Sequence, residues 1–233
     1  HLFQIASLLA MEPPVGNGIE ARRDEKVKVF RGMRPLRRKD LVRGQFEGYL
    51  DEPGVAPHSD TETFAAIRLN IETWRWQGVP WYLRAGKNLP VTATEVVVSF
   101  KAPPTRIFQE DDTGINERNS IRFRLSPDAV IALAARVKRP GLKFIGDQQE
   151  LALHENPTPD QEQPYERLLG DAMAGNQELF TRWDGIEAAW QAVDDVLRDH
   201  DPAIPYRPGT WGPEEARGLL DSETTWINPR TDD

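Results

Sequence analysis

Alternation of apolar and polar positions is strongest between residues 63 and 101. In TFAAIRLNIE (63–72), Ile67, Leu69 and Ile71 alternate with Arg68 and Asn70. In GVPWYLRAG (78–86), Val79, Trp81 and Leu83 fall on one face, and Pro80, Tyr82 and Arg84 on the other. TEVVVSFK (94–101) puts Val96, Val98 and Phe100 on one face. A period of two is the signature of a strand. IRFRL (121–125) alternates in the same way, AVIALAARV (129–137) follows a Pro-Asp turn, and QELALHE (149–155) repeats the pattern more weakly. LVRGQFEGYL (41–50) reads as a further strand that its two glycines could bulge.

Helical periods flank this block. Leu2, Ile5 and Leu9 recur at helical spacing until Pro13-Pro14 stops the run. ARRDEKVKVFRGM (21–33) carries Val27, Phe30 and Met33 on one side and ends before Pro35. A helix is predicted after Pro164, interrupted near Gly175, and another over 184–200 with Ile186, Trp190, Val193 and Leu197 on one stripe. The Pro/Gly/Trp-rich last thirty residues, the loop 51–60 and the polar stretch 102–118 read as irregular. Short turns join the strands, so the expected class is α+β with a mostly antiparallel sheet, one face covered and the other more polar.

Composition narrows the partners. The 233 residues suffice for one large domain or two small ones. A net charge of −8 argues against nucleic acid, and Arg22-Arg23 and Arg37-Arg38-Lys39 read as solvated charge. The absence of cysteine removes disulfides and thiolate chemistry and fits a cytoplasmic location. No apolar run has membrane-spanning length and no signal-peptide pattern opens the chain. The chain starts at His1, inside a helical pattern with no capping residue before it. The expectation is therefore a fragment whose upstream part is missing.

Candidate chemistry is sparse. Gly86 ends a strand and Lys87 follows it, which is either an ordinary solvated turn or a cation at a sheet rim that could hold a phosphate. The four histidines, His1, His58, His154 and His200, have no metal-binding spacing, and no metal site is expected. His58 reads as a loop residue and His200 as a helix-end residue suited to the dipole. His154 sits in a strand and reads as structural. Neither a G-x-S-x-G elbow, a P-loop nor a G-x-G-x-x-G turn opening a helix is present.

Several stretches, taken together, resemble glucose-6-phosphate dehydrogenase in its C-terminal β+α domain. HLFQIASLLAMEPP resembles the family's Asn-His-Leu-x-Gln helix, and RDEKVKV (23–29) the segment after it. TETFAAIRLNIETWRWQGVPWYLRAGKNL resembles its most recognisable block, and PYERLLGDAMAGNQELF and YRPGTWGP its late helix and tail. The likeness spans essentially all of 1–233, as a single domain of that type lacking the nucleotide-binding domain. It implies a sheet of about nine strands, a homodimer or tetramer built across that sheet, and NADP as cofactor. It further implies oxidation of β-D-glucose 6-phosphate at C1 to 6-phosphogluconolactone, the first step of the pentose phosphate pathway.

By that resemblance His1 is the catalytic base and Lys87 binds substrate, while Arg84 matches the arginine of the Arg-x-Gly-Lys motif. A histidine suits proton abstraction because its pKa lies near working pH. Thr92 stands where the family often has a second basic residue, and Ser126 where some relatives have a substrate-contacting glutamine. Ala132 and Ala134 replace the tyrosine and lysine of the animal enzymes' second NADP site, which is therefore expected to be absent. Two other readings are a catalytically silent paralogue kept for assembly, prompted by Thr92, and a carbohydrate-binding sheet that stacks sugars on Trp74, Trp76 and Trp81.

Overall fold

The computed structural model describes residues 1–105, 108, 118–141, 144–155, 164–222 and 224–230. Its strands in chain order are β1 (Leu41–Phe46), β2 (Phe64–Asn70), β3 (Pro80–Gly86), β4 (Thr94–Ser99), β5 (Ser120–Ser126), β6 (Val130–Lys138), β7 (Gly146–His154) and β8 (Ile204–Tyr206). Its helices are α1 (Leu2–Ala10), α2 (Ile19–Gly32), α3 (Pro164–Ala174), α4 (Trp183–Gln191) and α5 (Asp194–Arg198). The chain divides into two compact units, His1–Pro90 with Glu162–Trp226, and Val91–Gln161 with Ile227–Asp233.

The α+β class holds, with antiparallel pairing in all but one case. The sheet does not have nine strands, however. The described strands form two four-stranded sheets, ordered β3-β2-β1-β8 and β4-β5-β6-β7. Alternation marks a segment as a strand but says nothing of which strand it pairs with, so the break between β3 and β4 left no trace in the pattern.

In the first unit, Ile67, Leu69, Ile71 and Leu83 face α1, α2, α4 and α5 in a core with Ala6, Phe30, Met33 and Val196. Phe64 and Ala66 point the other way, into a cluster with Phe46, Tyr206, Ala216 and Leu219. Both faces of this sheet are thus covered, where the alternation predicted a polar second face. The covering element is the tail: β8 adds to β1 in parallel, Gly44 opposite Ile204 and Phe46 opposite Tyr206, and a 3-10 turn at Glu214–Leu219 packs behind. A three-residue strand is too short to show a period, which is why the tail read as irregular.

Phe64 is 1% exposed, and its ring fills space that side chains would otherwise take. A Cβ at Gly86 would lie 2.8 Å from the Phe64 Cδ2 and one at Gly212 2.2 Å from Cε2, while one at Gly44 would lie 2.9 Å from the Pro213 Cγ and 3.1 Å from the Phe64 Cβ. Gly44 therefore marks close packing, not the expected bulge, and β1 pairs with β2 in unbroken register. Strand β1 ends at Phe46, and Gly48, at φ 96°, leads into a 3-10 turn at Tyr49–Asp51. The register irregularity lies instead at Thr94/Glu95.

Two helices bury a face adjacent to the predicted one. In α1 the buried residues are Ala6, Ser7 and Ala10, while Leu8 is largely exposed. The 184–200 segment breaks into α4 and α5, burying Gly185, Ala188, Ala192 and Val196 and leaving Trp190 and Leu197 exposed. Gly185 sits where a Cβ would be 3.5 Å from Val27 and 3.7 Å from Phe30, so small residues bring α4 close to α2. Large side chains would hold the helix axes farther apart. On α2, Val27, Phe30 and Met33 are buried, matching the predicted side. Helix α3 buries none of its residues and ends at Gly175, which has φ 70°.

The second unit is a meander, β4 to β7, antiparallel throughout. Val98, Ile121, Leu133 and Leu151 lie opposite one another in one row, and Val96, Phe123, Ile131 and Leu153 in the next. The register puts both rows on one face, where Leu151 is 70% exposed and Leu153 68%. The other face carries Glu95, Arg122 and Arg124, with the Arg124 Nε 3.3 Å and the Arg122 Nη1 3.4 Å from Glu95 Oε2. The predicted loop 102–118 lies mostly outside the described residues.

The Phe64 seat gives a direct test. Gly209→Ala, at φ 77° with open space around it, should cost about 1–2 kcal/mol for the left-handed backbone alone. Gly212→Ala, at φ 90° against the Phe64 ring, should cost a further ~1–3 kcal/mol of overpacking. Urea unfolding at constant m-value compares the two; equal losses would remove the steric role of the ring.

Candidate functional site

The site is a turn at the end of β3. Gly86 lets the chain pass beneath Phe64, and Lys87 comes next. The Lys87 N–H donates to the Thr63 carbonyl at 2.8 Å. Its carbonyl accepts from the Tyr206 hydroxyl at 2.7 Å. Asn88 follows at φ 50°, and its carbonyl accepts the Gly209 N–H at 2.7 Å. The backbone around Lys87 is thus fixed on both sides. Its ammonium is exposed and makes no hydrogen bond or ion pair among the described residues.

Thr63, the acceptor for Lys87, is itself anchored. Its N–H donates to the Gly44 carbonyl at 2.8 Å, and its Oγ1 accepts from the Phe46 N–H at 2.9 Å. Just upstream, the buried Arg43 donates to Asp60 Oδ2 at 2.8 Å, Glu62 Oε2 at 2.7 Å and the Asp201 carbonyl at 3.0 Å. The Ala203 N–H and then Arg43 hold the Asp60 carboxyl below the usual carboxylate range. Burial works against ionisation of Glu62, but its bond from Arg43 and the other favourable contacts outweigh it and lower that carboxyl too.

The polar face of β3 meets the tail. Arg84 lies between two indoles, its guanidinium carbon 4.7 Å from the Trp211 ring centroid and 4.9 Å from that of Trp226. Burial pushes this guanidinium down to about 10, so it stays charged at neutral pH. The Tyr82 hydroxyl donates to Asp221 Oδ2 at 2.9 Å and accepts the Asp221 N–H at 3.1 Å. Arg68 pairs with Asp221 Oδ1 at 2.8 Å. Arg84 is therefore an aromatic-stacked clamp on the tail.

His1 caps α1 through its carbonyl, which accepts the Ile5 N–H at 3.1 Å, and its side chain is exposed. At the other end of α1 the Ala10 carbonyl accepts Trp76 Nε1–H at 2.8 Å, beside the turn that precedes β3. His1 and Lys87 thus occupy the ends of α1 and β3 remote from that anchor, within one unit. No hydrogen bond joins them among the described residues.

The remaining candidates separate. His58 is exposed in its loop at φ 64°. His154 is exposed on β7 opposite Val130. His200 Nδ1 lies 3.0 Å from the Val196 carbonyl at the end of α5, as the dipole argument expects. No group of His, Cys, Asp or Glu among the described residues could hold a metal ion. The three-indole platform does not form: Trp76 and Trp81 pack edge-on at 4.8 Å against the helix-side core, while Trp74 is fully exposed. Tyr206, Trp211, Asp221 and Trp226 were not legible as site residues. Tyr206 and Trp211 stood out only as part of the YRPGTWGP likeness, and Trp226 only by the density of aromatics in a Pro/Gly-rich tail.

The family described as glucose-6-phosphate dehydrogenase, C-terminal domain, matches residues 1–227. This chain belongs to that family. It is 41% identical to the glucose-6-phosphate 1-dehydrogenase of Dickeya dadantii, over 94% of this chain and 49% of that protein. The crystal structure of glucose-6-phosphate 1-dehydrogenase from Mycobacterium avium superposes with a TM-score of 0.89 at 39% identity, covering all of this chain and 50% of the other. A glucose-6-phosphate dehydrogenase in complex with its substrate glucose 6-phosphate superposes with a TM-score of 0.80 at 31% identity, over 98% of this chain and 50% of the other. The chain spans about half the length of the curated relatives it matches. Among the positions where it departs from the glucose-6-phosphate dehydrogenase pattern, Thr92 and Ser126 are exposed, and Ala132 and Ala134 are buried on the charged face of the second sheet.

The Arg84 clamp predicts a penalty that charge alone does not. Arg84→Lys keeps the cation but loses the planar stack, and should cost about 1–2 kcal/mol in urea unfolding, with red-shifted indole fluorescence. Unchanged stability and fluorescence would return Arg84 to the role of a simple surface cation.

Proposed function

We propose that this chain is the substrate-binding and dimerisation part of an NADP-dependent glucose-6-phosphate dehydrogenase, with Lys87 holding the sugar phosphate and His1 as the catalytic base. The single observation that carries this reading is the Lys87 turn, a fixed backbone presenting an unpaired ammonium among the described residues. A solvated turn needs no such fixing, whereas a phosphate ligand gains from a cation held in place. His1, in its neutral form, accepts the proton of the C1 hydroxyl as hydride leaves C1, and a carbonyl forms there.

NADP, when bound, supplies the hydride acceptor. The described residues do not fit a dinucleotide cradle. Their one parallel strand pair is β1–β8, and Gly16 and Gly18, which precede α2, follow a helix and not a strand. The chain's own chemistry is therefore binding, orientation and proton acceptance. The reading treats 1–233 as one functional domain, with the sugar-phosphate site in its first unit and the subunit interface in its second. Its expected location is the cytoplasm, in keeping with the absence of cysteine. No helix among the described residues is long and apolar enough to cross a membrane.

The dimer reading rests on the apolar face of the second sheet. In its two apolar rows Ile131, Leu133, Leu151 and Leu153 are exposed side by side and Val96, Val98, Ile121 and Phe123 half-buried, which exceeds the scattered apolar residues usual on a monomer. A two-fold axis would bring this face against its own copy.

Calorimetric titration of glucose 6-phosphate into the 233-residue chain tests the site. Lys87→Ala removes a charge-assisted hydrogen bond worth about 1.5–3 kcal/mol, so Kd should rise about 10- to 150-fold. Failure of the unmodified chain to bind the sugar phosphate would favour the catalytically silent assembly module. For the interface, Leu133→Glu should convert a sedimenting dimer to monomer. A chain that is monomeric before the substitution would rule out this face as the dimer surface.

A further inference from the structure

One phenol fixes the Lys87 carbonyl from the tail. Tyr206 is 3% exposed at the end of β8. Its hydroxyl has one proton, and two carbonyls are within reach, Lys87 at 2.7 Å and Thr63 at 3.3 Å. The shorter contact takes the proton. The Thr63 hydroxyl, 3.2 Å away, then donates to the Tyr206 oxygen while accepting the Phe46 N–H. The result is a relay, Thr63 to Tyr206 to Lys87, in which every hydroxyl proton has an acceptor. Burial pushes the Tyr206 phenol up, so it remains a donor across the neutral range.

We infer that Tyr206 is a positioning residue for Lys87, holding its backbone so that the ammonium is presented at a fixed point for a phosphorylated sugar. The inference rests on the sugar-phosphate reading of the Lys87 turn. It follows from where the restraint acts. The Lys87 side chain has four rotatable bonds and no partner among the described residues, so its location depends on its Cα. Three hydrogen bonds hold that stretch of backbone. The Thr63 carbonyl supplies one, and the other two come from Tyr206 and Gly209 in the tail. Tyr206 thus couples the tail to the turn from a distance of 119 residues along the chain. The ring itself packs in the cluster with Phe46, Phe64, Ala216 and Leu219, so removal of the hydroxyl alone separates positioning from packing.

The test compares Tyr206→Phe with Leu219→Ala in the full chain, reading glucose 6-phosphate and inorganic phosphate affinity, Tm, and hydrogen exchange at the Lys87 amide. Tyr206→Phe should weaken both ligands about 3- to 10-fold and speed Lys87 exchange at least about 10-fold with a small change in Tm, because the hydroxyl, not the ring, restrains the turn. Leu219→Ala should lower Tm more and leave both affinities nearly unchanged, because it opens a cavity in the cluster that packs the Tyr206 ring but removes no hydrogen bond of the relay. Wild-type affinity in Tyr206→Phe, or affinities that follow Tm in both variants, would overturn the inference. If the unmodified chain does not bind glucose 6-phosphate, the sugar-phosphate reading fails by itself, and Lys87 exchange still decides whether Tyr206 holds the turn. Should Tyr206→Phe not fold, Thr63→Val carries the same test, with a smaller loosening of Lys87 expected and a wild-type exchange rate overturning the proposal.

Discussion

One aromatic ring sets the geometry of the first unit. The ring of Phe64 occupies volume that two glycines, Gly86 and Gly212, leave empty. Those glycines come from the end of β3 and from the tail, so the ring is the common seat of two separate chain segments, while Gly44 of β1 lies closest to Pro213 of the tail. The close packing of protein interiors leaves no slack at such a seat. Because Gly86 lies against the ring, the residue after it must leave the sheet at a defined point, and that residue is Lys87. Because Gly212 lies against the ring, the tail must return to the back of the sheet, where Tyr206 and Gly209 meet the same turn. The Lys87 turn is thus held mainly through backbone hydrogen bonds around a packed core residue, and its ammonium has no partner among the described residues.

The second unit divides its chemistry by face. Arg122, Arg124 and Glu95 share one side of the meander, with the Arg124 and Glu95 side chains nearly fully buried, at 3% and 5% exposure. Such charges are tolerated inside a protein only when paired, and here they are. The opposite side carries the two apolar rows. A register shift of one residue would exchange these faces, placing Leu and Ile among the arginines. The paired charges and the apolar rows therefore specify the same register independently.

Much of the architecture was legible because its signal is local. The alternation through Ile67, Leu69 and Ile71 identified β2 and its core face, and Trp81 and Leu83 against Tyr82 and Arg84 correctly divided the two sides of β3. Val27, Phe30 and Met33 located the buried side of α2. Where the reading of α1 and α4 went wrong, the cause was the same in both: the faces that pack are lined by Ala, Ser and Gly, and weighting by size points to the larger residues beside them. At the candidate site, Lys87 stood out by its place at a strand end, and the family likeness singled out His1. The tail partners could not be read. YRPGTWGP marked Tyr206 and Trp211 as part of the tail, but which residues they and Asp221 meet is set by contacts made across most of the chain, which a local motif does not encode.

The parallel pairing of β8 with β1 has a consequence for the order in which this protein can be made. Thr63 and Tyr206 touch across 143 residues, so the first sheet cannot be completed until Tyr206 has left the ribosome. At ~5–20 residues per second, that interval is roughly 7–30 s. Throughout it, the outer edge of β1 presents unpaired N–H and C=O groups, the kind of edge that invites pairing with another chain. The intervening meander pairs only with its sequence neighbours, β4 with β5, β5 with β6 and β6 with β7, and can form while the first sheet waits. Until β8 emerges and pairs, the first sheet is therefore unfinished and adhesive at one edge, and Tyr206 is part of the segment that closes it.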